Sequence, residues 1–120
     1  MKALNLFAVK HILRTTRNFE GKSLSGLDLG GMDFSRANLR HADLSGTNLR
    51  GANLAFADLY CANLRCADLS RAFMDGTNLD DTFMDNTRMA GVDLGEFVFD
   101  FDFDVEFSFD ADDSALAHIA

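Results

Sequence analysis

Residues 37–71 read ANLRH ADLSG TNLRG ANLAF ADLYC ANLRC ADLSR, seven five-residue units that share a central leucine. The spacing extends in both directions, so that every fifth residue from Leu24 to Phe99 is a large apolar side chain. The sixteen positions are Leu24, Leu29, Phe34, Leu39, Leu44, Leu49, Leu54, Leu59, Leu64, Leu69, Met74, Leu79, Met84, Met89, Leu94 and Phe99. A period of five fits neither a helix nor a strand, and it therefore indicates a repeating fold.

A second series of residues lies two positions before each central residue. It is alanine or threonine through the middle of the repeat, with larger groups near the ends, at Leu27, Met32, Val92 and Phe97. A chain that turns a corner every five residues sends one large and one small side chain of each unit inward. Four units then make a square coil of twenty residues, and the sixteen units make four coils, stacked to about 19 Å at the spacing of neighbouring strands. Small residues in the second series keep each layer from being overfilled.

These units resemble the A-(D/N)-L-x-x signature of pentapeptide-repeat proteins, and the resemblance covers residues 22–101. It implies an all-β solenoid, a right-handed quadrilateral β-helix of about four coils, with the central and small residues inside. We predict a short N-terminal capping helix over residues 1–18, the β-helix over 19–101, and a C-terminal strand with a short terminal turn over 102–120. Phe73, Phe83 and Arg88 stand where the signature has Asp or Asn. We expect the coils there to be less regular, or covered.

The Asp or Asn before each central residue has a structural interpretation. These side chains commonly accept hydrogen bonds from nearby backbone N–H groups at turns. We therefore predict that they hold the corners of the coil rather than bind a ligand. The glycines of residues 23–31, SLSGLDLGG, are expected to supply the unusual backbone angles of the first corners.

Charge is distributed unevenly along the 120 residues. The formal net charge is −8, made up of +4 in residues 1–50, −5 in residues 51–99 and −7 in residues 100–120. Net acidity argues against direct binding of nucleic acid, which calls for a basic surface. No apolar run is long enough for a membrane span.

Reactive side chains form no arrangement that predicts catalysis. Cys61 and Cys66 fall at the same position of successive units, on adjacent sides of one coil, so we expect two free thiols and a reducing compartment, the cytoplasm. The histidines are scattered, and the sequence has no nucleophile beside a base, no metal set and no phosphate loop. We predict a protein that is not an enzyme and needs no cofactor.

Residues 2–17, KALNLFAVKHILRTTR, predict a short amphipathic helix. Ala3, Leu6, Val9, Ile12 and Leu13 share one stripe, and the basic residues lie largely off it. Three interpretations stay open: a cap on the first coil, a helix on a membrane surface, or a helix that docks on a partner. The cap is favoured because the first layer of a solenoid otherwise exposes its apolar residues.

Beyond Phe99 the period changes from five to two. Phenylalanines alternate with acids, which predicts a strand with one aromatic and one carboxylate face. The candidate interaction residues are Phe101, Phe103, Phe107, Phe109, Asp100, Asp102, Asp104, Glu106 and Asp110. The carboxylates are expected to discourage fibril formation, and a calcium site is disfavoured because alternate carboxylates on a strand lie about 6.6 Å apart, too far to share one ion.

This C-terminal strand has four possible fates. It caps its own last coil, pairs with a second copy in a homodimer, docks on another protein by strand addition, or stays disordered. The function favoured by the sequence is a non-catalytic interaction or assembly module with unidentified protein partners. The alternative is a DNA mimic that binds DNA gyrase or another topoisomerase, as the resemblance to quinolone-resistance pentapeptide-repeat proteins implies.

Overall fold

The computed structural model describes residues 2–95, which form a helix followed by a regular coil. The helix α1 spans Leu6–Arg14 and begins at Asn5, whose side-chain oxygen accepts a hydrogen bond from the Ala8 N–H at 2.8 Å. Val9 is fully buried, and Ile12 and Leu13 pack against the same core. Leu6, at the start of the predicted apolar stripe, is 37% exposed.

Residues 18–95 form a coil whose backbone pairs with itself at an interval of twenty residues. Parallel bridges run in four columns: Asn18–Asn38–Asp58–Asn78, Ser23–Asp43–Asn63–Phe83, Asp28–Asn48–Asp68–Arg88 and Asp33–Asn53–Phe73–Asp93. In this part of the chain each pairing is an isolated bridge rather than a longer strand. The reason is the turn inside every unit, as where the Ala57 N–H bonds to the Leu54 carbonyl at 3.0 Å. A corner every five residues leaves little straight backbone to pair.

The core confirms the predicted inward positions. Every central residue from Leu24 to Met89 is buried, with at most 3% of its surface exposed, and Phe19 extends the series by one unit. The alanines of the second series, from Ala37 to Ala72, are buried as well. Leu94 is partly buried, and Phe99 lies outside the described residues. One large and one small side chain per unit therefore fill the coil.

The threonines of the second series bring hydroxyl groups into this core. Each hydroxyl bonds to a backbone carbonyl, at 2.6 Å from Thr47 to Leu44 and at 2.6 Å from Thr87 to Leu64. Thr77 and Thr82 make equivalent bonds. The cost of burying a polar group is thereby largely removed.

The residues before the central leucines hold the turns, as predicted. The Asn53 side-chain oxygen accepts a hydrogen bond from the Ala55 N–H at 3.0 Å, and the Asp58 carboxylate accepts one from the Tyr60 N–H at 3.1 Å. The last residue of each unit takes a left-handed backbone conformation. Gly26 and Gly31 adopt it at φ of 74° and 70°, which confirms the expectation for the first corners.

The expectation for the atypical units is wrong within residues 2–95. The bridges at Phe73, Phe83 and Arg88 keep the same register as all the others. Phe73 and Phe83 also remain 51% and 47% exposed, so neither is covered. Backbone pairing and the inward residues are enough to maintain the coil where the Asp or Asn is missing.

The upper edge of the first coil is paired with the N-terminal segment. The Leu4 N–H donates to the Ser23 carbonyl at 2.8 Å, which continues the ladder by one bond. The Arg17 guanidinium donates to the Asp33 carbonyl at 2.9 Å, to the Ser35 carbonyl at 2.9 Å and to the Leu13 carbonyl of α1 at 2.8 Å. In the ladder, carbonyls of this type accept from the N–H nineteen residues earlier. Arg17 therefore takes the place of backbone donors that a preceding coil would supply.

Candidate interaction surface

The predicted interaction residues from Asp100 to Asp110 lie outside the described residues, so their arrangement stays a prediction. Residues 2–95 present a different set of exposed groups, on the sides of the coil and on α1.

Three arginines lie over aromatic rings of the neighbouring coil. The guanidinium carbon of Arg36 is 4.9 Å from the centre of the Phe56 ring, that of Arg40 is 4.6 Å from Tyr60, and that of Arg65 is 4.6 Å from Phe83. Arginine and aromatic residues are enriched at protein interfaces, where both offer large contact areas. These pairs therefore form surface patches suited to contact with another protein.

Ion pairs also join successive coils. Arg40 contacts Asp58 at 3.0 Å, Arg50 contacts Asp68 at 3.0 Å, and Arg65 contacts Asp85 at 3.0 Å. All three lie on the surface, where such pairs contribute little to stability. They set the orientation of the arginines and leave them fewer free donors for a ligand.

The environment of Asp58 lowers its pKa. Burial raises the pKa of this carboxyl, but hydrogen bonds from the Arg40 side chain, the Tyr60 backbone and the Asn78 side chain outweigh that effect. The pKa of Asp68 is lowered in the same way, with burial opposed by bonds from Ser70 and Arg50. Both carboxylates stay ionised near neutral pH and act as structural acceptors.

The corner around Cys61 brings three reactive side chains close together, those of His41, Tyr60 and Cys61. A hydrogen bond with Cys61 raises the pKa of the Tyr60 phenol, and the His41 ring meets Tyr60 edge-on with centres 5.7 Å apart. Cys61 and Cys66 are free thiols. Within residues 2–95, no three His, Cys, Asp or Glu side chains are grouped closely enough to hold a metal ion.

Four phenylalanines of residues 2–95 are prominently exposed. Phe7 on α1 is 78% exposed, and Phe56, Phe73 and Phe83 on the coil are 51%, 51% and 47% exposed. The sequence reasoning noted Phe73 and Phe83 as departures from the repeat but did not predict them as surface contacts. It missed Phe7 and Arg17 entirely, although Arg17 stands at the second-series position where small or apolar residues are usual.

The coil and helix together are charge-balanced. Residues 2–95 contain eleven Lys or Arg and eleven Asp or Glu, so the net −8 of the chain resides in residues 96–120. The charges are nevertheless separated along these residues. Residues 2–50 carry eight bases and four acids, whereas residues 51–95 carry three bases and seven acids. Among these residues, the helix is too short to cross a membrane.

Comparison with known proteins identifies the family. Residues 18–55 and 57–95 match the family described as pentapeptide repeats, in eight copies. No curated protein sequence matches the chain at a significant level. Among solved structures, the chain is similar to HetL, a pentapeptide repeat protein involved in heterocyst differentiation regulation in the cyanobacterium Nostoc sp. strain PCC 7120, with 30% identity and a TM-score of 0.57. The match covers 77% of this chain and 48% of HetL, so this chain spans about half the length of that relative.

Two further structures are less similar. The pentapeptide repeat protein Rfr23 from the cyanobacterium Cyanothece 51142 is 32% identical over 65% of this chain and 57% of its own, with a TM-score of 0.42. QnrB1, a plasmid-mediated fluoroquinolone resistance protein, is 17% identical over 84% of this chain and 61% of its own, with a TM-score of 0.31. Similarity at that level is too low to assign a role to this chain. The match over residues 18–95 is nevertheless specific, and the chain belongs to the pentapeptide-repeat family, whose fold is a right-handed β-helix solenoid.

Proposed function

We propose that this chain is a non-catalytic interaction module, in which a rigid β-helix presents exposed side chains to protein partners. The observation that supports this proposal is that Phe73 and Phe83, on different sides of the coil, are exposed rings at a position that Asp or Asn occupies in most other units.

These two phenylalanines do little for the fold. At the same position Asn53 and Asn63 each accept a hydrogen bond from the N–H two residues on, at 3.0 and 3.1 Å. A phenyl ring has no acceptor, so each substitution gives up a turn bond of about 0.5–1.5 kcal/mol and leaves apolar surface in water. Residues that stay exposed at a cost to folding are best explained by what they contact.

The test restores the usual residue at both positions. We expect the double variant F73N/F83D to fold as well as the wild type and to lose the partner that the wild type captures from a lysate of its own host. Cross-linking through a photoreactive group at Arg71, two residues before Phe73, identifies the partner. The matched control is L6S on α1, which also removes an exposed apolar side chain and should leave this capture unchanged. A captured protein that F73N/F83D retains would contradict the proposal.

We further propose that the coil comprises about four turns and that α1 caps the first of them. The supporting contacts are the buried Val9, the Leu4 bond to Ser23 and the Arg17 bonds to Asp33 and Ser35. At the other end, the period-two segment after Gly95 is proposed to form a C-terminal strand. The domain limits 1–18, 19–101 and 102–120 stay predictions.

The DNA-mimic function remains a secondary proposal that rests on the C-terminal carboxylates alone. The helix and coil of residues 2–95 together carry equal numbers of acids and bases, so as a unit they offer no net acidic surface to the duplex-binding surface of a topoisomerase. The test is a gyrase supercoiling assay with the wild type and D102S/D104S. Inhibition that disappears in this variant would support mimicry, and no inhibition by the wild type would reject it.

The proposed setting is a reducing compartment such as the cytoplasm, where the free thiols of Cys61 and Cys66 are compatible with long-term stability. We propose no catalytic step and no cofactor.

A further inference from the structure

The outer face of α1 has the composition of a docking surface. Phe7, Lys10, His11 and Arg14 follow the spacing i, i+3, i+4 and i+7, so they line one side of the helix, and all four are exposed. Val9, on the other side, is buried in the core. Phe7 is the most exposed large apolar side chain of residues 2–95, at 78%.

This face is basic and forms no ion pair within residues 2–95. Residues 2–19 contain Lys2, Lys10, Arg14 and Arg17 and no acidic side chain. Of these four, Arg17 alone takes part in an ion pair within residues 2–95, with Asp33 at 3.6 Å. An exposed phenyl ring surrounded by unpaired bases is complementary to a partner that carries both carboxylates and aromatic rings.

The chain itself contains a segment of that chemistry. Residues 96–120 carry eight acids and no Lys or Arg, and phenylalanines alternate with the acids. The segment begins after Gly95, in the last described coil, whereas α1 packs on the first coil. Three coil spacings, about 14 Å, separate the two ends.

We infer that the outer face of α1 receives the acidic, phenylalanine-rich C-terminal segment of a second copy, so that copies associate head to tail. The inference rests on the proposed interaction function and names one partner for it. Charge along the coil favours this polarity, because the helix half of residues 2–95 carries +4 and the other half −4. Head-to-tail contact brings opposite charges together, whereas contact between two C-terminal segments brings together like charges.

The direct test is a charge swap between the two ends. K10E/R14E reverses the helix face, and D102K/D104K reverses part of the acidic segment. In sedimentation velocity at low salt, the wild type should grow in mass with concentration, and each swapped variant alone should self-associate about tenfold or more weakly. An equimolar mixture of the two variants should regain association, because each then offers the other a complementary end.

Matched controls separate the docking face from general charge and apolar effects. R71E makes the same charge change as K10E at an exposed position of the coil, and it should associate like the wild type. F7S should weaken association, whereas F83S, which removes an exposed phenylalanine of the coil, should not.

Three results would overturn the inference. They are a wild type that stays monomeric at all concentrations, an association that K10E/R14E leaves unchanged, and a mixture that fails to restore what the separate variants lost. An unchanged K10E/R14E assembly would instead indicate contact between two C-terminal segments. F73N/F83D should still associate head to tail. Loss of head-to-tail association would therefore not bear on the partner proposed for Phe73 and Phe83, which is tested separately.

Discussion

The units of residues 37–71 and those of residues 72–95 share one backbone but differ in their side chains. The first group repeats alanine or threonine, Asp or Asn, and leucine, while the second has three methionines among its central residues and has Phe73, Phe83 and Arg88 in place of Asp or Asn. Both groups keep the twenty-residue register, and both bury their central residues except Leu94, which is partly buried. The difference shows that the inward positions and the ladder determine the coil, whereas the outward positions are free to serve contacts.

The largest expected effect comes from changing the size of inward side chains in residues 37–71. Leu59→Ala should lower the free energy of unfolding by about 2–5 kcal/mol, because the stacked coils cannot move enough to fill the cavity that the leucine side chain leaves. Ala57→Leu should cost about 1–3 kcal/mol through overpacking. Urea denaturation measures both changes. If both variants unfold like the wild type, residues 57 and 59 do not point inward.

Arg17 tests whether the first coil depends on its contacts with the helix segment. Arg17→Ala should destabilise the protein by about 2–3 kcal/mol, since the Asp33 and Ser35 carbonyls lose charged donors. Arg17→Lys is the matched control and should recover part of this loss, because lysine keeps the charge but not the fork of donors. Thermal unfolding followed by circular dichroism reports both variants. An alanine variant as stable as wild type would show that the first coil needs no donor there.

A smaller effect tests the pattern of acids in the columns. Asn48 lies between Asp28 and Asp68 and donates to Asp28 at 2.9 Å. Asn48→Asp would stack three carboxylates and should cost about 1 kcal/mol near neutral pH. The repulsion raises the pKa values of the folded state, so the loss should disappear as the pH falls below them. Asn53→Asp, with Asp33 on one side and Phe73 on the other, should cost less.

The wild type should lose stability as the pH falls, whereas the destabilisation caused by Asn48→Asp should disappear there. The pKa values of Asp33, Asp58 and Asp68 are lowered in the folded protein; at Asp33 the largest cause is a hydrogen bond from Ser35. Their contribution to stability is therefore present above the ordinary carboxyl pKa of about 3.9 and is lost as the pH falls through the lowered values. The urea concentration at the midpoint of unfolding should therefore decrease as the pH is lowered through these pKa values. Arg50→Ala should reduce the part due to Asp68, and an acid-insensitive wild type would contradict the cited hydrogen bonds.

Much of the coil was predictable because its rule is local. A unit of five residues contains its own central leucine, its small residue and its turn-forming Asp or Asn, so Leu54, Ala52 and Asn53 were assigned without knowledge of the fold. Counting twenty residues along the chain also places Arg36 with Phe56 and Arg40 with Tyr60 on the same side of the coil. Their stacking was not predicted, since it depends on rotamers of exposed side chains.

The contacts of the N-terminal segment were beyond sequence reasoning for a different reason. The Arg17 bonds to Asp33 and Ser35 depend on the path by which the chain passes from α1 into the first coil. The five-residue repeat does not predict that path. The exposed face around Phe7 depends on which side of α1 the core buries. The predicted site from Asp100 to Asp110 has a composition that suggests contact, but alternation alone does not specify the partner.

The central claim is that Phe73 serves contacts rather than the coil, and the unfolding free energy of Phe73→Asn tests it most directly. The new asparagine gains a turn bond of about 0.5–1.5 kcal/mol, and the half-exposed ring gives up about 1 kcal/mol of burial. We therefore predict that urea denaturation gives a value within about 1 kcal/mol of the wild type, unlike the loss expected for Leu59→Ala. A loss of about 2 kcal/mol or more would show that Phe73 is part of the folding core and would contradict the account.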